Sequence, residues 1–190
     1  MRSLKVFQNR IRAFCRDESG VASVQFVMVF PIFMLFFGMT FENGIVSLRH
    51  VMLERGVDIA VRDVRIGRMP NPTRELLRSR ICDVALLIPD CENALELEMI
   101  TRDPRSWQAI PANVACVDRG DPSKPKAQFT QGGNNQLVFL RACARFDPVM
   151  PTTGLGKVIV EENNSSAAGG SYAHVATSAF VVEPFRRDDD

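Results

Sequence analysis

Residues 20–41 read Gly20-Val-Ala-Ser-Val-Gln-Phe-Val-Met-Val-Phe-Pro-Ile-Phe-Met-Leu-Phe-Phe-Gly-Met-Thr-Phe41. From Val21 to Phe41 no residue carries a formal charge, and only Ser23, Gln25, Pro31, Gly38 and Thr40 interrupt the apolar run. At about 1.5 Å of rise per residue, a helix over this stretch spans roughly 30 Å, the thickness of a bilayer's hydrocarbon core. The leader before it carries Arg2, Lys5, Arg10, Arg12 and Arg16 against Asp17 and Glu18, a net +3, and Glu42 follows the run directly. Basic residues stay on the cytoplasmic side, so the expected topology is a single pass with the C-terminal bulk exported. A removable secretory signal has an apolar core of about 7–15 residues that ends in small residues. Here the second half of the run holds Phe30, Phe33, Phe36, Phe37 and Phe41, which favours a retained anchor.

The junction also carries a family resemblance. A glycine, four small or apolar residues, then an acidic or amide residue and an aromatic, all opening a hydrophobic helix, resembles a prepilin-peptidase site. Gly20-Val21-Ala22-Ser23-Val24-Gln25-Phe26, followed by Phe30-Pro31, is similar to the start of TadE-like proteins, the minor pilins or pseudopilins of the tight-adherence (Tad, Flp-type) pilus system. Ala179-Phe180-Val181-Val182-Glu183-Pro184-Phe185 resembles the Glu-Pro-Phe ending common among them. The resemblance implies cleavage between Gly20 and Val21, and a pilin-like fold with the helix kept in the mature protein. It also implies a place in the bacterial inner membrane with a periplasmic C-terminal domain. The implied partners are the membrane, a prepilin peptidase and other pilin-like subunits of the apparatus. One position departs from the pattern. The fifth residue after the glycine is usually glutamate, whose carboxylate meets the new N-terminal amine of a neighbour, and here it is Gln25. An amide at this position offers a hydrogen bond but neutralises no charge, and the alternative reading is that Gln25 merely tops a lipid-facing helix.

The organisation expected from these features is a cytoplasmic leader (1–20), a transmembrane helix (21–41), an extracytoplasmic amphipathic helix (42–67) and an α+β domain (68–190). Val46, His50, Leu53, Val57, Ala60 and Val64 recur at spacings of three and four, one stripe of a helix that continues beyond the membrane. Arg49, Arg55, Asp58, Arg62 and Arg65 fall on its polar side, Gly44 and Gly56 weaken it, and Gly67, Pro70 and Pro72 end it. Thr73–Leu87 reads as a second helix capped by Thr73, with Leu76, Leu77, Ile81, Val84 and Leu87 on one face. The period then becomes two, which predicts strands at Ala94–Ile100, Gln136–Phe146 and Ser171–Val182. Alternation puts Glu96 and Glu98 on a solvated face, and Arg141, Cys143 and Arg145 opposite Val138, Leu140, Ala142, Ala144 and Phe146. Gly132–Asn135 marks a turn, Asn163–Gly170 a loop, and 103–131 a long irregular connection. The fold class is α+β and membrane-anchored: a long and a short helix packed on a small antiparallel sheet.

The five cysteines divide by topology. Cys15 lies in the leader and is expected as a thiol, whereas Cys82, Cys91, Cys116 and Cys143 lie in the exported part, where disulfides persist. Cys82–Cys91 and Cys116–Cys143 are the favoured pairs among the connectivities open to four cysteines. Zinc is disfavoured, because no Cys-x-x-Cys exists and the chain has two histidines, His50 and His174. The formal net charge of +1 gives nucleic-acid binding no electrostatic support. No Gly-x-Ser-x-Gly, His-Glu-x-x-His or phosphate loop is present, and Gly154-Leu155-Gly156-Lys157 lacks the first glycine of the last. A structural role is therefore expected, with no enzyme activity, cofactor or small-molecule substrate. The alternative is a membrane-tethered binding module that enters no pilus.

Overall fold

In the computed structural model the described residues are 10, 12–14, 20–106, 108–117, 127–133, 135–150 and 171–183. Cys15, the loop at 163–170, the Gly154–Lys157 stretch and the tail from Pro184 lie outside them. By its contacts the chain divides into two units, Met1–Thr40 and Phe41–Asp190.

Helix α1 runs unbroken from Val21 to Arg65, 45 residues, with Pro31 inside it. A proline removes one helical hydrogen bond, a loss that apolar spanning helices tolerate when neighbouring groups re-satisfy the backbone. The first half of α1 is long and apolar enough to cross a membrane, and almost none of it is buried by the chain itself. A core helix would be covered. The helix ends where the glycine signal lies: Gly67 takes φ 76°, its N–H donates to Val64 O at 3.2 Å, and Arg68 N–H donates to Asp63 O at 3.0 Å. This pair of bonds is the Schellman arrangement, which satisfies carbonyls that a helix end leaves open.

The head is built on the second half of α1. Helix α2 spans Arg74–Val84, and the Thr73 side chain accepts from Leu76 N–H at 3.2 Å as its N-cap. It stops three residues short of the expected Leu87. Ile88 N–H donates to Ala85 O in the turn that follows, and Ala85 and Ile88 are buried while Leu76 and Leu87 are exposed. A disulfide between Cys82 and Cys91, with Cα atoms 5.7 Å apart, closes this reversal. A single turn, α3 (Cys91–Ala94), leads into β1 (Leu95–Arg102). Strands β2 (Leu137–Phe146) and β3 (Tyr172–Val181) complete an antiparallel sheet in the order β1-β2-β3.

Register places the apolar alternation on one face. Leu97 lies opposite Ala142 and Met99 opposite Leu140; Val138 lies opposite Phe180 and Ala142 opposite Ala176. These residues form one core with Leu53, Val57, Ala60 and Val64 of α1 and Leu77 and Ile81 of α2. The approach of the two helices is closest at Gly56, where an added Cβ would stand 2.9 Å from Ile81 O. Gly56 is thus a packing position in a continuous helix and not a bend.

The other face of the sheet departs from expectation. Glu96 and Glu98 are 9% and 8% exposed, not solvated. Glu96 pairs with Arg74 and, at 3.6 Å, with Arg78, and Glu98 pairs with Arg141. The irregular connection covers them: Arg141 donates to Pro111 O at 2.6 Å and Asn113 O at 3.1 Å, and Cys116 is bonded to Cys143. Each carboxylate is tolerated there because it is matched by a guanidinium.

Filling the Gly56 contact discriminates packing from helix propensity. Gly56→Leu is expected to destabilise the full chain by about 1–3 kcal/mol through overpacking against Ile81. Gly44→Ala, where nothing lies within 4 Å, is expected to stabilise it by up to about 1 kcal/mol. Denaturant melts in detergent, followed by the far-ultraviolet signal, read both.

Candidate functional site

Two regions carry functional side chains, one in each unit. In the first, Gly20 occupies a turn immediately before α1, its carbonyl accepting from Val24 N–H at 3.1 Å. It is exposed, and nothing lies within 4 Å of where a Cβ would be. Among the described residues, nothing crowds Gly20 at the start of α1. Gln25 lies on one helix face with Ala22, Phe26, Val29, Phe30 and Phe33, which together line a shallow surface depression. The spacing of three and four that brings them together is that of a single helix face. Phe26 stacks on Phe30 with centroids 4.9 Å apart, and Phe33 on Phe37 at 6.4 Å. Gln25 thus sits as the one hydrogen-bonding side chain on an exposed, aromatic-rich stripe.

The second region ties the sheet to α1 just past the apolar run. Glu42, 1% exposed, accepts from Val149 N–H at 3.0 Å and Met150 N–H at 2.8 Å. Two turns on, Arg49 is buried, although its place beside the apolar stripe reads as polar in the sequence. Its guanidinium donates to Leu87 O at 3.1 Å, Asp147 O at 3.3 Å and Tyr172 Oη at 3.2 Å. It also lies 4.9 Å over the Phe146 ring, and Phe146 packs edge-on against Tyr172 at 4.4 Å. Burial raises the Tyr172 hydroxyl pKa above its ordinary 10.0, with Arg49 opposing. The charge of Arg49 is met by oxygen dipoles and an aromatic face, a cheaper arrangement than an isolated buried ion.

Beside this tie the chain's two histidines meet, with ring centroids 4.8 Å apart. His174 Nε2 donates to Val46 O at 3.1 Å, and His50 Nε2 lies 3.2 Å from Glu54 Oε1. Burial first, then the neighbouring His50 and Arg49, hold the His174 pKa below its ordinary 6.5 against the opposing Val46 hydrogen bond. Sequence reading missed this joint. The signal for it is the helix period: positions 42, 46, 49 and 53 continue the apolar stripe, so a charge at 42 or 49 must find a partner inside.

Among the described residues no group of three or more His, Cys, Asp or Glu side chains could hold a metal ion. At the far end of the head a pocket of about 360 Å³ is lined by Val64, Met69, Met99, Val138 and Phe180 among others. It presents no convergent charged groups. The structure places Gly20 in the turn before α1, and Val21, Gln25 and Phe26 in the first two turns of the helix. It joins Cys82 to Cys91 and Cys116 to Cys143.

Residues 20–62 match the family model of TadE-like proteins. The matched stretch holds the junction, the apolar run and most of the helix that carries Glu42, Arg49 and His50; the sheet lies outside it. It supports involvement in the Tad pilus system. No curated protein and no solved structure matches the chain.

The His174 environment sets a pH dependence. Because the folded state holds the His174 pKa below 6.5, its contribution to stability is present above the unfolded value of about 6.5 and is lost as pH falls through the lower folded value. Thermal melts between pH 7.5 and 5 are expected to show this loss, and His174→Gln to flatten it. Arg49→Ala, which strips donors from Tyr172, Leu87 and Asp147, is expected to destabilise at all these pH values by roughly 2–4 kcal/mol.

Proposed function

We propose, starting from a TadE-like segment that opens on an exposed glycine, that this chain is a minor pilin or pseudopilin of a Tad-type pilus apparatus. The observation that carries this reading is the Gly20–Val21 junction. An exposed glycine stands immediately before a 45-residue helix whose apolar half is uncovered. A peptidase that cuts after the glycine removes the basic leader and leaves the anchor whole. The net +3 leader argues for a cytoplasmic N-terminus and an exported head in the bacterial inner membrane and periplasm. Two disulfides in the head suit an oxidising compartment. The role is structural and not catalytic: the helix packs laterally in the membrane and the head presents a surface.

Gln25 shapes how the subunit assembles. Its ammonium at Val21, once formed, meets the carboxylate of a neighbour that keeps a glutamate, but Gln25 offers no carboxylate in return. That asymmetry favours a terminal or heteromeric position over a repeating filament. The Phe26–Phe30 and Phe33–Phe37 stacks give the same face a broad apolar surface for another helix.

Two measurements test the reading. In cells with a working prepilin peptidase the purified protein should begin at Val21, and Gly20→Leu should leave the leader attached. Recovery of only full-length wild-type chain would favour a membrane-tethered binding module instead. In crosslinked native membranes the subunit should co-purify in low copy with another pilin-like chain, and Gln25→Glu should leave insertion intact. Finding it as the abundant repeating subunit of a purified filament would sink the assembly argument.

A further inference from the structure

We infer that the pocket at the far end of the head is the seat of this chain's own Phe185, so that Glu183-Pro184-Phe185 closes over the core as a clasp. The sequence singles out this stretch, and neither the membrane anchor nor the junction at Gly20 makes use of it. Pro184 and Phe185 lie outside the described residues. The pocket and the chain leading up to Pro184 lie within them, and together they decide where the next side chains go.

The pocket, about 360 Å³, forms where α1, the α1–α2 connection and all three strands converge. Val64, Met99, Val138 and Phe180 line it as buried core residues, while Met69 and Val182 line it half-buried. None of the described residues around it carries a charge. Its wall is closely built: a Cβ added at Gly132 would stand 2.3 Å from Val138 Cγ2 and 3.1 Å from Val182 Cγ2. A void beside well-packed apolar side chains forfeits contacts that one more apolar side chain restores.

The path of the chain leads to this pocket. Val182 N–H donates to Gln136 O at 3.2 Å, and Val182 O accepts from Asn135 N–H at 2.8 Å. Pro184 has no N–H with which to extend that pairing, and it confines Glu183 to extended backbone. Successive residues of a strand point to opposite faces. Here two in a row address α1: Val182 lines the pocket with Val64, and Glu183 meets Arg65 at 3.4 Å. The chain is therefore leaving the sheet toward the end of the helix, where the pocket lies. The ion pair is 52% and 61% exposed, so it supplies direction and little stability.

Reach and chemistry choose the occupant. Phe185 stands three residues after Val182, and at about 3.3–3.6 Å per residue its Cα can lie up to about 11 Å away. Val182 itself lines the pocket, so the ring is within range. Beyond Glu183 the sequence reads Pro-Phe-Arg-Arg-Asp-Asp-Asp, in which Phe185 is the one large apolar side chain. The five charged residues after it find no counterpart in an uncharged pocket. A short tether also presents Phe185 at an effective concentration in the millimolar range, which a lipid chain or a partner's side chain has to outcompete.

Two measurements on the full-length protein in its native membranes test the clasp. The first replaces Phe185 with a diazirine-bearing phenylalanine analogue and maps the adducts by mass spectrometry. The expected adducts are on this chain's own Val64, Met69, Met99, Val138 or Phe180. Adducts on a second copy, on another protein, on lipid or elsewhere in this chain, or no adduct, would overturn the proposal. The second follows oxidation of Met69 by peroxide, which tracks exposure of the thioether. Phe185→Ala is expected to speed it severalfold and Phe185→Leu to leave it near the wild-type rate, with both disulfides and the far-ultraviolet spectrum unchanged. Equal rates in wild type and Phe185→Ala would sink the idea. Neither readout involves the leader or Gln25, so the clasp and the pilin reading fail separately.

Discussion

The period of α1 forces a charge into the head, and much of the head's design answers that constraint. Continuing the stripe of Val46, Leu53, Val57, Ala60 and Val64 toward the apolar run brings Arg49 and Glu42 inside. A guanidinium carried into a core is tolerable only when donors find acceptors. The acceptors come from three separate parts of the chain: the turn after α2 (Leu87 O), the exit of β2 (Asp147 O) and the entry of β3 (Tyr172 Oη). Glu42 does the converse, collecting the N–H groups of Val149 and Met150. The exit of β2 and the entry of β3 are thereby located against one helix. At this end of the head these polar contacts join the packing of Phe146 on Tyr172 in holding the register.

The same logic explains the second face of the sheet. A three-stranded sheet with one helical layer leaves a face to water, which is how alternation at Glu96 and Glu98 reads. Here that face is covered instead by an irregular segment with little apolar content. Arg74, Arg78 and Arg141 supply what packing alone cannot, by pairing the glutamates and, through Arg74 and Arg141, binding backbone carbonyls of the cover. The Cys116–Cys143 bond fixes that cover to β2 covalently. Closing a loop of this length stabilises on the order of 3 kcal/mol in the chain-entropy picture.

What is legible in the sequence follows from which physical signals are local. The apolar run, the α1 stripe, the Thr73 cap and the Gly67 stop depend on neighbours three to five residues away, and each has its structural counterpart. The strands appear within one or two residues of their alternation. The missed features depend on distant chain. Alternation says that Glu96 and Glu98 share a side, but not whether 111–116 will lie over it. Arg49 looks polar until Tyr172, more than a hundred residues later, is known to face it. Gly56 looks like a weak point in a helix until Ile81 arrives at contact distance. The end of α2 is misjudged for the same reason, because the Cys82–Cys91 bond and the capture of Leu87 O override a periodicity that would carry the helix further.

The match to TadE-like proteins ends at residue 62, inside α1, yet the side chains that position the head belong to the matched segment. Glu42, Arg49 and His50 are helix residues, while their partners Val149, Met150, Leu87, Tyr172 and His174 all lie beyond it. Most of those partners contribute backbone groups, which any side chain at the position provides. A helix that addresses backbone carbonyls and N–H groups can seat heads of differing sequence, provided the chain path returns to the same level. Tyr172 and His174 are the exceptions, since they contribute side-chain atoms, and both stand at the start of β3. The start of β3 is thus fixed against α1 by side chains as well as by the path of the chain.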